Sequence, residues 1–162
     1  MTEQDLEAAK ILADKIHVNF PEDMDVFVER LRLYPQGCLV LAEEGRLVGY
    51  ALTHPWRFGE PPPLNSRLGA IPRNATTYYL HDVALLPETR GRGHAARGVE
   101  RLVDKARSEG FGNLSLVAVN RSQAFWERMG FRAVSHAGLE TKLASYGVDA
   151  VLMVQDLGRT GD

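Results

Sequence analysis

The chain has 162 residues, of which 44% are hydrophobic and 25% charged, the balance of an ordinary globular domain long enough to bury its own core. A formal net charge of −2 gives none of the electrostatic footprint of a nucleic-acid binder, and the basic residues gather locally at Arg90, Arg92 and Arg97. The single cysteine, Cys38, excludes an internal disulfide, and no metal-ligand spacing is present.

The start, MTEQDLEAAK, is acidic and lacks the basic and apolar blocks of a signal peptide. No apolar run approaches the ~18 residues of a membrane span, so a cytoplasmic protein with no membrane partner is expected. The sequence reads as one domain over residues 1–162, without repeats, linkers or low-complexity tracts.

Thr2 and the acids after it suit a helix start, with Leu6, Ala9, Ala13 and Ile16 at helical spacing through about His17. Pro21 fits the first turn of a second helix, which Val26, Leu31 and Leu33 make apolar on one side and Pro35-Gln36-Gly37 ends. CLVLAEEGRLVGYALTH reads as two strands joined at Glu44-Gly45, with Cys38 a buried strand thiol. The next 20 residues, PWRFGEPPPLNSRLGAIPRN, hold five prolines and two glycines and predict a long ordered loop, because Trp56, Phe58, Leu64 and Leu68 argue against disorder. TTYYLHDVALLP is the strongest strand, stopped by Pro87. A helix is expected over residues 91–109, then a short strand NLSLVAV, a short helix in RSQAFWERMG and a final strand DAVLMVQDL. Strand–helix–strand–helix order in the second half predicts an α/β fold with a parallel pair.

The stretch LLPETRGRGHAARG places glycines and arginines at the beginning of a helix, where backbone N–H groups and the helix dipole favour an anion. A phosphate or pyrophosphate is the ligand class. A Walker loop is excluded, since no Gly-Lys-Ser/Thr follows. Residues 91–96 fit the dinucleotide pattern G-x-G-x-x-A, but Pro87-Glu88-Thr89-Arg90 intervene after the strand and no acidic ribose partner lies about 20 residues on.

Arg90-Gly91-Arg92-Gly93-His94-Ala95 matches the Gln/Arg-x-x-Gly-x-Gly/Ala loop of the GNAT acetyltransferase superfamily. With VALLP before it, a long helix after it and FWERMGF following LVAVN, the chain resembles that superfamily over residues 39–157. The resemblance implies an α/β (α+β) fold, a twisted mixed sheet flanked by helices, in which the HDVALLP strand splays from NLSLVAV to take the pantetheine arm of acyl-CoA. It further implies backbone pairing of Val83 and Leu85 with that arm, pyrophosphate held over Gly91 to Ala95 with Arg90, Arg92 and His94 beside it, and a cofactor contact from Asn120. Asn120 stands about one residue nearer FWERMGF than in the family, and Trp126 occupies a place where many members carry the Tyr that protonates the CoA thiolate; an indole N–H has no useful acidity.

Acetyl transfer from acetyl-CoA to an amine needs a base, an oxyanion donor and a thiolate acid. The strand YYLHDVALL offers His81, whose ordinary pKa suits proton removal near neutrality, and Asp82, on opposite faces if strict alternation holds. By resemblance the Val83 N–H is the oxyanion donor, and Tyr146 in LASYGVDAVLM stands near the acceptor side, where it would replace the missing acid. Trp56, Phe58, Tyr78 and Tyr79 offer aromatic walls, Glu60 and Asp82 attract an ammonium, and Arg57, Arg67 and Arg73 suit a carboxylate. The expectation is an N-acetyltransferase working by direct transfer onto a primary amine of a small molecule, amino acid or protein. A CoA-binding module without turnover, or the same fold with a longer acyl chain, stay open as alternatives, as does a homodimer.

Overall fold

The computed structural model describes residues 1–158. They form five α-helices and a six-stranded mixed sheet in the order β1-β2-β3-β4-β6-β5. No helix among them is long and apolar enough to cross a membrane. Two compact units divide the chain: Met1–His54, Pro62–Ile71 and Leu80–Ala95 form the first, and Pro55–Pro61, Pro72–Tyr79 and Ala96–Asp162 the second.

In the first unit, α1 (Leu6–Ile16) and α2 (Met24–Leu33) precede the hairpin β1 (Cys38–Glu43) and β2 (Arg46–Trp56). A 3-10 turn over Glu3–Asp5 leads into α1, where the Asp5 carboxylate accepts from the Thr2 N–H at 2.7 Å and the Thr2 hydroxyl at 3.0 Å. Those two bonds hold the Asp5 carboxyl below its ordinary value. Ala9, Leu12 and Ala13 of α1 pack with Phe27, Leu31, Val48, Leu52 and Leu86 into one apolar core. Pro21 lies outside α2; Asp23, in extended conformation, is the N-cap instead, and its N–H donates to Asn65 Oδ1 at 2.7 Å. The hairpin turn is Glu44-Gly45 as its sequence demands, with φ of 50° and 77°. Cys38 is buried in β1, and burial pushes its thiol up to about 11.

The proline-rich stretch is ordered, and its first two residues belong to β2 rather than to the loop. Residues 62–71 are tied to α2 by Glu29 and Arg30, which are 5% and 2% exposed. Glu29 Oε2 accepts from Arg30 Nη1 at 2.8 Å and from the Leu68 N–H at 2.7 Å, and Oε1 from the Gly69 N–H at 3.1 Å. Arg30 Nη2 donates to the Ser66 carbonyl at 3.0 Å. A buried ion pair costs stability unless other groups replace the lost water, and here the Ser66 carbonyl and the Leu68 and Gly69 N–H groups of the loop do part of this.

In the second unit, β4 (Asn113–Ala118) pairs antiparallel with β6 (Val151–Asp156) from Asn113↔Asp156 to Ala118↔Val151. The sequence reading missed a two-residue strand, β5 (Arg132–Ala133), which pairs with β6, and a short helix, α5 (Glu140–Ala144); both are too short to carry a periodic signal. α3 (His94–Ser108) buries Val99, Leu102, Val103 and Ala106, and α4 is Gln123–Arg128. The parallel pairing with β3 (Thr77–Leu85) consists of Tyr78↔Leu114 and Tyr79↔Ser115, sealed by a Thr77 Oγ1 to Ser115 Oγ bond of 2.8 Å. β4 runs on to Ala118 after that ladder ends.

Candidate active site

Two connections of the first unit converge on β3, the link between α1 and α2 and the proline-rich loop. His17 caps the C-terminus of α1, Glu22 follows in the link to α2, and Asn65 comes from the proline-rich loop. His81 Nε2 lies 2.9 Å from Glu22 Oε2 and 3.1 Å from Oε1, with the two side chains 4% and 7% exposed. The Asn65 N–H donates to Glu22 Oε1 at 3.1 Å from a left-handed backbone (φ 49°). Burial would raise the Glu22 carboxyl, but the charge and hydrogen bond of His81, with the Asn65 N–H, hold it below its ordinary value. The ring of His54 stands 6.1 Å from that of His81, centroid to centroid.

Asp82, the next residue, meets the same connection. His17 Nε2 is 2.8 Å from Asp82 Oδ1, an ion pair in which the nitrogen is out of line for a good hydrogen bond. The Tyr50 hydroxyl donates to Asp82 Oδ2. Burial would lower the His17 pKa, yet Asp82 and then Glu22 outweigh it and hold the imidazole above its ordinary value. Burial, with the Asp82 charge behind it, raises the Tyr50 hydroxyl far out of the titrating range, so it acts as a fixed donor. Consecutive residues of an ideal strand face opposite ways. Here His81 and Asp82 both reach the segment between α1 and α2, so the strict alternation expected from sequence is not kept.

From these residues β3 runs through the half-buried Val83 and Leu85 to a rooted turn. Its neighbour β2 carries Gly49, where an added Cβ would stand 3.0 Å from the Ala84 carbonyl oxygen and crowd that backbone. The Leu86 N–H donates to the Val48 carbonyl at 2.9 Å, and the buried Thr89 hydroxyl to the Leu86 carbonyl at 2.8 Å. Beyond Thr89 the chain opens: Arg90, Gly91, Arg92 and Gly93 are exposed, His94 and Ala95 half-buried. Gly91 and Gly93 have φ of 78° and 77°, and a Cβ at either would meet nothing within 4 Å. The glycines therefore serve the left-handed backbone rather than close packing. They delay the helix to His94, three residues later than the sequence suggested. Successive N–H groups in such a turn form an anion-binding concavity at a helix start.

The other sequence candidates fall differently. Asn120 (φ 53°, exposed) and Tyr146 (3% exposed) belong to the second unit. Tyr78 and Tyr79 do not form open aromatic walls: they are 0% and 4% exposed, and Tyr78 meets Phe111 edge-on at 5.9 Å. Trp56 donates Nε1–H to the Glu60 carbonyl at 2.7 Å, Arg57 pairs with Glu60 at 2.7 Å, and Arg67 pairs with Asp25. Trp126 packs against Phe125 and Phe131 at centroid distances of 5.0 and 5.4 Å. Sequence reasoning missed His17, Glu22, Tyr50 and Asn65, since no spacing links residues from the α1–α2 link, β2 and the proline-rich loop.

The chain matches the model of the acetyltransferase (GNAT) family over residues 7–131. No curated protein matches it in sequence. Among solved structures it is similar to the GphF GNAT-like decarboxylase in complex with isobutyryl-CoA (18% identity, 97% of each chain, TM-score 0.78). It is also similar to the ribosomal-protein-S18-alanine N-acetyltransferase from Escherichia coli (18% identity, 100% of this chain and 94% of that one, TM-score 0.67). A third is Rv2747 from Mycobacterium tuberculosis in complex with CoA (16% identity, 95% of each chain, TM-score 0.71). The left-handed glycine turn at the start of α3, the parallel pair β3–β4 and the family match agree, and the protein belongs to the acetyltransferase (GNAT) family.

Proposed function

We propose that this protein is an acyl-CoA-dependent N-acyltransferase that moves an acetyl group from acetyl-CoA to a primary amine by direct transfer. The carrying observation is that one strand, β3, bears both a histidine held by a buried carboxylate and, a few residues on, the glycine turn suited to pyrophosphate. Acyl-CoA chemistry receives support from the family and from neighbours solved with CoA or isobutyryl-CoA.

In this reading Gly91 to Ala95 bind the pyrophosphate with Arg90, Arg92 and His94, and the Val83 and Leu85 backbone groups pair with the pantetheine arm. Asp82, already between Tyr50 and His17, attracts the acceptor ammonium. His81, held at Nε2 by Glu22, takes its proton, and the Glu22 anion stabilises the imidazolium that forms. The amine attacks the thioester carbonyl, the Val83 N–H stabilises the oxyanion, and the C–S bond breaks. Trp126 cannot protonate the departing thiolate, and the family resemblance nominates Tyr146 for that role. Cys38, buried and with a raised pKa, is unsuited to an acyl-enzyme route.

A second reading, a CoA-binding module without turnover, is favoured by the burial of Trp126 among aromatic rings where many family members place an acid. Calorimetric titration with acetyl-CoA and isobutyryl-CoA, followed by thiol release in an amine screen, separates the two. Binding lost in Gly93→Asp and weakened in Arg90→Ala, with thiol release that His81→Ala abolishes, is the expected result. Binding without release from any amine favours the module, and absence of binding overturns both.

A further inference from the structure

Glu43 ends β1 immediately before the hairpin turn, and its carboxylate reaches the loop read above as the phosphate cradle. Its Oε1 is 2.8 Å from His94 Nε2, and its Oε2 accepts from Arg92 Nη1 at 3.1 Å. The Glu43 side chain is 29% exposed and that of His94 15%, so this pair is drier than an ordinary surface ion pair. Arg46, across the turn, lies 3.6 Å from Glu88 in an exposed pair just before the loop.

A carboxylate and a phosphate present the same charge-assisted acceptors to a guanidinium and an imidazole. An acid delivered from another strand onto the Arg92 guanidinium and the His94 imidazole of that loop therefore competes with an anion there. We propose that Glu43 is an internal counter-anion that occupies Arg92 and His94 until a phosphate of the incoming CoA displaces it, so that this carboxylate sets how tightly the cofactor is held. The inference rests on the acyl-CoA reading. Its consequence is that the loop is cofactor-ready in backbone but self-neutralised in side chains, and part of the binding energy is spent on releasing Glu43.

The test is calorimetric titration of CoA into the wild type, Glu43→Gln and Glu44→Gln at fixed ionic strength, with the His94 ring followed by NMR. Glu44→Gln removes the same charge one residue further along, in the hairpin turn itself. Glu43→Gln should lower Kd about two- to fivefold, the scale of a partly exposed ion pair. Glu44→Gln should change Kd by less than that, because exposed charges at a distance are screened. CoA should shift the His94 ring signals of the wild type toward those of Glu43→Gln. A Kd that is unchanged or higher in Glu43→Gln means that the carboxylate braces the loop, and overturns the inference while the acyl-CoA reading stands. Equal tightening by Glu44→Gln overturns it too, as a general charge effect. Failure of the wild type to bind CoA at all overturns the acyl-CoA reading, and this inference with it.

Discussion

The two units of the chain bury different chemistry. In the second, the fully covered side chains are mostly apolar, Leu102, Leu114, Leu116, Leu152 and Met153 among them, with Thr77 and Ser115 satisfying one another. In the first, Glu22, Glu29, Arg30 and His54 are all below 9% exposed, and the half-buried His17 and Asp82 join them. Burying charge costs several kcal/mol per ion unless partners replace water. A fold accepts that cost where the groups must hold position or act, whereas an apolar layer needs only shape and volume. The second unit thus buries mainly shape and volume, and the first buries charge held by specific partners.

The largest effect that tests this contrast is Arg30→Met. It strips the buried Glu29 carboxylate of its cation and the Ser66 carbonyl of its donor, and should cost ~3–5 kcal/mol in denaturant unfolding. Adding Glu29→Gln should recover part of that loss; a double variant less stable than Arg30→Met would show that the carboxylate is held by the Leu68 and Gly69 N–H groups alone. Leu114→Ala, in the second unit, should cost ~2–5 kcal/mol by transfer and cavity, with no dependence on pH between 5 and 8.

Tyr50→Phe is expected to cost less, ~1–3 kcal/mol, by leaving Asp82 short of a donor in a partly buried site. It should also raise KM for the amine more than it lowers kcat, and an unaltered KM would detach Asp82 from acceptor binding. The smallest effect is pH-dependent. His17 has a folded pKa above its ordinary 6.5, so its pairing with Asp82 stabilises fully below 6.5 and is lost as pH rises through the folded value. Glu22 runs the other way: held below 4.5, its contribution is present above that and lost as pH falls through the folded value. Melting temperatures should thus show His17→Asn approaching the wild type as pH rises above 6.5, while Glu22→Gln approaches it in acid.

The glycine turn was legible because its requirement is local. Only glycine takes φ near +78° without strain, so Gly91 and Gly93 announce a left-handed turn wherever they stand before a helix. The same holds for Glu44-Gly45 between two apolar strands, for the α3 face from Val99 to Ala106, and for Pro87 closing β3. Chain-local geometry and periodicity thus carried most of the element order, the glycine turn and, with the family motif, the superfamily.

What surrounds His81 belonged to the tertiary structure. Glu22 and Asn65 are separated from it by 59 and 16 positions and lie in connections with no period to read. The sequence could nominate His81 and Asp82 as titratable groups on a strand, but not their partners, their burial or the broken alternation that lets both meet the segment after α1. Nor could it show that Glu43 reaches Arg92 and His94. Backbone preference and hydrophobic period are properties of neighbours along the chain. Desolvation, charge pairing and the pKa values they set depend on which distant residues folding brings within a few ångströms.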